Sequence, residues 1–209
     1  MTTAGNKSGG ASAEVELPAA PTGDYELNLS PEQLAGIVEK RYGPLLRTLP
    51  LPTDRLARFR SLLTERQQAS VDAANAALLV GMNPVRETAA IRLAIDSVQE
   101  PVDATLRAEF GAAIFSAYRE YDQTLGERNA VEELSRSLVV RGETLRPEQE
   151  KQLVQILKSG APRSPGETID RAIYGATDVR APVTEKAVAA AARVLSPHQL
   201  AEFRKLQQP

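Results

Sequence analysis

The 209-residue chain carries 25 Lys and Arg against 27 Asp and Glu, and this net charge of -2 gives no global electrostatic reason to expect a nucleic acid or an acidic membrane surface as partner. Cysteine is absent, which excludes disulfides, thiolate zinc sites and cysteine nucleophiles. Hydrophobic residues make up 42% of the chain and aromatic residues only 4%, so alanine and leucine dominate the apolar content and favour packed helices over a β-sandwich.

The first 28 residues are rich in Gly, Ala, Ser, Thr and Pro, and they predict a flexible leader. The opening residues lack the apolar stretch of a signal peptide. No run approaches the roughly 18 apolar residues that a membrane span needs. We therefore expect a cytoplasmic protein if the given N-terminus is the true start, or otherwise a protein whose export segment is missing.

Two helices are predicted to begin at the similar phrases LSPEQ (29–33) and LSPHQ (195–199). In each phrase a serine precedes a proline and stands three residues before a glutamine. This is the pattern of a capping box, with proline at the first helical position, where it is tolerated. Ser30 and Ser196 are thus the predicted N-caps.

Two further phrases predict helix starts with weaker caps. LRPEQ (145–149) keeps the proline and the glutamine but has Arg146 at the capping position. The stretch 51–56 offers Thr53 or Asp54 as the cap. The four starts have no fixed period, so a solenoid of stacked repeats is not expected.

The longest helical stripe lies between residues 91 and 106, where apolar side chains recur at helical spacing. Pro101 falls inside this stripe, and the sequence leaves open whether it kinks the helix or splits it. The same spacing resumes after Gly111 and leads to a predicted helix end near Gly142. The stripe and the alanine-rich faces also permit a homodimer, although packing within one chain explains them more economically. The stripe consists of Ile91, Ile95, Val98, Val102 and Leu106.

These patterns together predict an all-α protein. We expect a multi-helix bundle of long helical hairpins that forms a single domain over residues 29–209. Shorter helices are predicted at roughly 147–158 and 183–194, with a last helix from Pro197. The Gly- and Pro-rich stretch 159–182 between them predicts a long loop that is mobile or lies on the surface of the bundle.

The sequence contains no recognisable catalytic constellation. His198 is the only histidine, and we interpret it as a solvated residue at a helix start, because a lone histidine lacks the partners that catalysis or coordination needs. Glu132 and Glu133 are adjacent, so on a helix they point in different directions and cannot converge on a substrate. Nucleophile-elbow, Walker and dinucleotide-binding motifs are absent. We predict no enzymatic activity, no cofactor and no metal site.

The most basic region is 39–66, with seven positive residues against three negative ones. Arg55, Arg58 and Arg66 within it are the candidate partner-binding residues, since a basic face on a helical hairpin attracts anionic surfaces. The alternative is that these side chains simply solvate exposed helix faces, because the chain uses 19 Arg against 6 Lys. No signature of nucleic-acid recognition accompanies the charge.

The repeated phrases resemble the LTxxQ signature of Spy-like and CpxP-like periplasmic proteins. That family implies a thin, cradle-shaped, dimeric helical scaffold with chaperone activity, in which the motif residues are structural. The blocks 41–67, 118–138 and 183–208 look like a group of uncharacterised bacterial envelope proteins with an N-terminal anchor or signal and a Pro/Ala-rich spacer. The matching motif positions are Leu29, Pro31, Gln33, Leu195, Pro197 and Gln199.

The resemblance and the lack of a catalytic centre predict a non-catalytic, protein-binding or chaperone-like protein of the bacterial cell envelope. Its client surface would combine an apolar patch with the arginines of the basic region. The alternative is a scaffold or sensor domain that signals through one dedicated protein partner. Either protein would be periplasmic or tethered to the membrane through a missing N-terminal anchor.

Overall fold

The chain is all-α, as predicted, over the residues that a computed structural model describes, 29–84, 86–160 and 180–207. Seven helices and no strand are found in these ranges. The predicted leader and most of the predicted loop at 159–182 lie outside the described residues, so the single domain expected over 29–209 stays a prediction. The helices are α1 (Pro31–Leu46), α2 (Thr53–Leu79), α3 (Thr88–Gln123), α4 (Leu125–Val140), α5 (Pro147–Lys158), α6 (Glu185–Ala191) and α7 (Pro197–Lys205).

Both predicted capping boxes are confirmed. At the start of α1, the N–H of Gln33 donates to Oγ of Ser30 at 3.3 Å, and the N–H of Ser30 donates to Oε1 of Gln33 at 2.7 Å. Ser196 and Gln199 repeat the pair of bonds at the start of α7, at 3.2 and 3.0 Å. These bonds satisfy backbone N–H groups that have no partner within the helix.

The other two helix starts differ from a full capping box. Oε1 of Gln149 accepts the N–H of Arg146 at 2.9 Å, but an arginine side chain has no acceptor to return the bond, so α5 has half a box. The prediction of a cap at Thr53 or Asp54 was wrong. The N-cap of α2 is Pro52, which gives no side-chain cap bond, and both predicted residues lie inside the first turn.

The break in α3 falls at Gly111 rather than at Pro101. The backbone stays helical through Pro101, so the proline does not split the helix. Gly111 instead has φ 81° and ψ 163°, a region of backbone space that is essentially restricted to glycine. Two helical segments therefore meet at Gly111.

Helices α1 to α3 share one apolar core, which we call the N-terminal core. The most extensive helix contact in the described chain is between α2 and α3, and α1 packs on α2. Four residues of the predicted stripe, all but Val98, are buried. The stripe is thus used for packing within the chain. The core includes the aromatic side chains of Tyr42, Phe59, Phe110, Phe115, Tyr118 and Tyr121.

Helices α4 to α7 form a second core, which we call the C-terminal core. It is aliphatic except for Phe203, and it includes Leu134, Leu138, Leu153 and Ala191. The chain passes from the first core to the second at Thr124, which ends α3 and precedes α4. None of the described helices has both the length and the apolar character needed to cross a membrane.

Candidate binding groove

A groove of about 880 Å³ lies between the two cores. Its walls come from the end of α1, the last turns of α3, residues 128–135 of α4 and residues 147–155 of α5. The apolar floor consists of Leu45 and Tyr121 from the N-terminal core and Val131 and Val154 from the C-terminal core. The groove thus exists because two separately packed cores meet along one edge.

The junction between α3 and α4 is held by Thr124, which is fully buried. Its hydroxyl donates to the carbonyl of Glu120 at 2.8 Å and accepts from Nε of Arg128 at 3.0 Å. The guanidinium of Arg128 also lies 4.3 Å from the ring centroid of Tyr121. These contacts fix the bend of the chain at the bottom of the groove.

The rim of the groove carries charges of both signs. Arg47 and Lys151 stand on it together with Glu120, Glu132 and Glu150. Within the described part of the chain, Arg47 and Lys151 make no ion pair. At the floor, burial raises the pKa of Tyr121, so its hydroxyl stays neutral and can donate a hydrogen bond.

An apolar floor with a charged rim is suited to an amphipathic segment of another protein. Amphipathic helices bind in this way, with their apolar side chains on the floor and their polar side chains at the edge. The volume also falls within the usual range for ligand sites, about 300–1,000 Å³. The described residues include no group of three or more His, Asp or Glu placed to hold a metal ion.

His198 lies at the start of α7, outside the groove. Its Nδ1 is 2.8 Å from Oε1 of Glu143, and both side chains are more than one-third exposed. This contact ties the loop after α4 to the start of α7. It gives the histidine a structural partner at the surface.

Arg55 and Arg58, two of the predicted partner-binding residues, contact Glu109 close to the break in α3. The guanidinium of Arg55 donates to the carbonyl of Glu109 and lies 5.0 Å from the ring centroid of Phe110. Nη2 of Arg58 is 2.8 Å from Oε1 of Glu109. The two arginines therefore support the residues that precede Gly111, and their role in binding a partner stays a prediction.

Arg66 does not lie on an exposed face, and this part of the sequence prediction was wrong. It is 8% exposed, its Nε lies 2.7 Å from Oδ1 of Asp103, and its Nη2 donates to Oε1 of Gln99 at 2.6 Å. The partners belong to the α3 face that packs on α2. The positive charge of Arg66 is paired with Asp103 inside the α2–α3 hairpin, where another protein cannot reach it.

Other arginines of the basic region are also engaged within the fold. Nε of Arg60 is 3.1 Å from Oε2 of Glu39, and Nη1 of Arg41 donates to Oε1 of Gln67 at 3.0 Å. Arg47 is the cation of this region that reaches the groove. Sequence reasoning missed the groove itself, because its floor residues follow the same helical spacing as the core.

The predicted motif positions have different environments. Leu195 is buried in the C-terminal core, and Gln199 and Gln149 are buried beside each other. Leu29 is half-buried, whereas Gln33 is exposed together with Pro31. In the C-terminal core the glutamines of the motif thus join the starts of α5 and α7, whereas at α1 the motif caps a helix start that faces solvent.

A buried polar cluster lies inside the N-terminal core. The hydroxyl of Tyr42 donates to Oδ1 of Asp122 at 2.6 Å. Burial and the neighbouring carboxylate raise the pKa of Tyr42 to about 12. Burial opposes ionisation of Asp122, but Arg66 and the bond from Tyr42 outweigh it and lower its pKa. The cluster thus consists of a neutral tyrosine and an ionised carboxylate, whose negative charge is stabilised by Arg66 and by the hydrogen bond from Tyr42.

No protein-family model, curated protein or solved structure matches the chain. The groove and the sequence motifs are therefore the features from which we infer a function.

Proposed function

We propose that this chain is a non-catalytic helical protein that binds a segment of another protein in the groove between its two cores. The observation that carries the proposal is the combination of an apolar floor with cations on the rim that have no ion-pair partner in the described part of the chain. Burial of apolar side chains on the floor would supply affinity, and the rim charges would supply orientation and capture.

The LTxxQ-like phrases support a chaperone-like role in the bacterial cell envelope. In that role the bound segment belongs to an unfolding client, and the groove has to accept many sequences. The apolar floor suits such a range, because burial of apolar side chains is non-directional and does not require one particular sequence.

The same rim supports a second candidate, a scaffold or sensor that binds one dedicated partner. Opposite charges at fixed positions favour a segment with the matching pattern and disfavour others. The two candidates differ in breadth: a chaperone-like protein suppresses aggregation of unrelated proteins, whereas a dedicated scaffold does not.

Aggregation of an unrelated unfolding protein, followed at low and moderate salt, tests the proposal. We expect suppression that weakens with salt, because exposed charges are screened. Reversing the two rim cations with Arg47→Glu and Lys151→Glu should weaken suppression. The control is Lys186→Glu with Arg193→Glu, which changes the net charge equally at exposed positions outside the groove. Equal loss in both double variants would refute the groove assignment, and suppression by neither variant nor wild type would leave only the dedicated-partner candidate.

A further inference from the structure

The end of the α2–α3 hairpin, residues 71–84 and 86–98, exposes large apolar side chains. Leu79, Val80 and Leu93 are 79%, 76% and 71% exposed. Among the described residues, the adjoining apolar cluster has four buried members, Ala74, Ala77, Ile91 and Ile95, with Ala73 and Met82 partly buried against it. This part of the molecule is two helices thick, and it leaves a substantial apolar surface in water.

The sequence of the hairpin end departs from that of a solvated helix pair. Residues 73–85 contain no charged side chain, although 25% of the chain is charged. Exposed helix faces normally carry frequent charges that keep them soluble. The uncharged run and the exposed leucines therefore point to a surface that is covered in the working protein.

The outer face of α3 has a self-complementary pattern. Leu93 stands in the middle, with the small residues Ala89 and Ser97 one turn to either side, and all three are exposed. Nε of Arg92 lies 3.6 Å from Oδ2 of Asp96, and both side chains are about half exposed. A positive and a negative charge one turn apart face their opposites when two such helices meet antiparallel across a two-fold axis.

We propose that the hairpin end binds the hairpin end of a second copy of this chain. The two α3 helices cross antiparallel between Arg92 and Asp96, so that each Arg92 faces the second copy's Asp96. Leu93 packs against the second copy between the small neighbours. The two hairpins together supply four helices around a shared apolar centre, which is a stable arrangement that one hairpin alone does not reach.

The charges of the hairpin end favour a second copy over a lipid surface. An anionic membrane surface attracts segments with an excess of Lys and Arg. Here Arg92 is matched by Asp96, and Arg86 is followed by Glu87. The surface thus lacks the net positive charge for a membrane and has the balanced pattern that a two-fold contact requires.

The mass in solution, measured by sedimentation equilibrium over a range of concentrations, tests this inference. Wild type should approach twice the 22.6 kDa chain mass as concentration rises. Leu93→Glu should raise the dimer dissociation constant by about tenfold or more, because it places a charge in the centre of the contact. Val140→Glu, at an exposed valine at the end of α4, is the matched control and should leave the constant unchanged.

A charge exchange identifies the second copy as the occupant. Arg92→Asp and Asp96→Arg should each weaken self-association, because each variant brings like charges together across the two-fold axis. An equal mixture of the two variants should form a heterodimer, since both contacts are then complementary. A wild-type mass of one chain at every concentration, or a mixture that stays monomeric, would overturn the inference. Binding of the wild-type monomer to anionic vesicles through Leu93 would overturn it as well.

Discussion

Gln149 and Gln199 hold each other's helix starts in the C-terminal core. Nε2 of Gln149 donates to Oε1 of Gln199 at 3.0 Å and to the carbonyl of Val194 at 2.9 Å. Nε2 of Gln199 donates to the carbonyl of Thr144 at 3.1 Å. Each glutamine also accepts the N–H of its own N-cap, so the two motifs form one reciprocal unit between α5 and α7.

Replacing Gln199 by alanine should destabilise the protein by about 1–3 kcal/mol, because it leaves buried polar groups without partners. Urea unfolding followed by circular dichroism measures the loss. Gln33→Ala is the control: its capping box is exposed, so water replaces the lost bonds, and the cost should stay within about 1 kcal/mol. The double replacement of Gln149 and Gln199 should cost less than the sum of the single replacements, and strict additivity would contradict the reciprocal unit.

Gly111→Ala should destabilise the protein by about 1–3 kcal/mol through backbone strain alone. The space around the position is open, with no atom within 4 Å of an added Cβ, but φ there is +81°. Gly36→Ala is the control within a regular helix: its added Cβ also meets nothing within 4 Å, and we expect a gain of about 0.5–1 kcal/mol. Equal effects of the two substitutions on the urea midpoint would show that the break at Gly111 is not present in solution.

Arg66→Ala should cost about 3 kcal/mol, at the low end for a broken buried ion pair. The cost is limited because Nη1 of Arg119 lies 3.3 Å from Oδ2 of Asp103 and still neutralises it. Arg58→Ala should cost clearly less than Arg66→Ala, because its pair with Glu109 is more than one-third exposed on both sides and is screened by water. Chemical denaturation of both variants checks the order, and a larger loss for Arg58 would contradict the burial of Arg66.

Alkaline pH should destabilise the fold through Tyr42. Its pKa is raised to about 12 in the folded state against about 10 in an unfolded chain, so the folded state holds the proton more tightly. The stabilisation is complete below pH 10 and is lost as pH rises from about 10 to about 12. At its upper bound, this loss is about 2–3 kcal/mol. The measurement is the urea midpoint between pH 8 and pH 12 for wild type and Tyr42→Phe. We expect a smaller alkaline loss in the variant, and an equal loss in both proteins would contradict a raised pKa of Tyr42.

Acidic pH should destabilise the fold through Asp122. Its pKa is lowered in the folded state, so its contribution is present above the ordinary carboxyl pKa of about 3.9 and is lost as pH falls below that value. Asp122→Asn should therefore flatten the acid side of the stability curve. An unchanged acid slope in this variant would show that other carboxylates carry the acid sensitivity.

The features that the sequence predicts well are the local ones. Capping boxes at Ser30 and Ser196 depend on residues within one turn, so a few positions are enough to recognise them. The sequence left open whether Pro101 kinks or splits α3, and the structure excludes the split and shows the break at Gly111. A proline is visible in the sequence, whereas the need for a positive φ at Gly111 depends on how the helices pack. Contacts of Arg55 and Arg58 with Glu109 on the neighbouring helix support that break.

The features that the sequence does not predict depend on distant residues. Arg66 was expected on the surface, but its partner Asp103 lies 37 positions further along the chain and becomes its neighbour only when α2 packs on α3. The groove is formed by two cores, and its floor residues Tyr121, Val131 and Val154 follow the spacing of any buried helix face. The spacing alone therefore does not distinguish residues at the edge of a core, which can line a groove, from residues at its centre.

Filling the groove is the most direct test of the proposed function. Ala117 is exposed and lines the groove, so Ala117→Trp should occupy it while leaving helicity unchanged. Ala108→Trp places the same side chain on an exposed part of α3 outside the groove. Suppression of client aggregation should fall several-fold in Ala117→Trp and persist in Ala108→Trp. Full suppression by a folded Ala117→Trp would contradict binding in the groove.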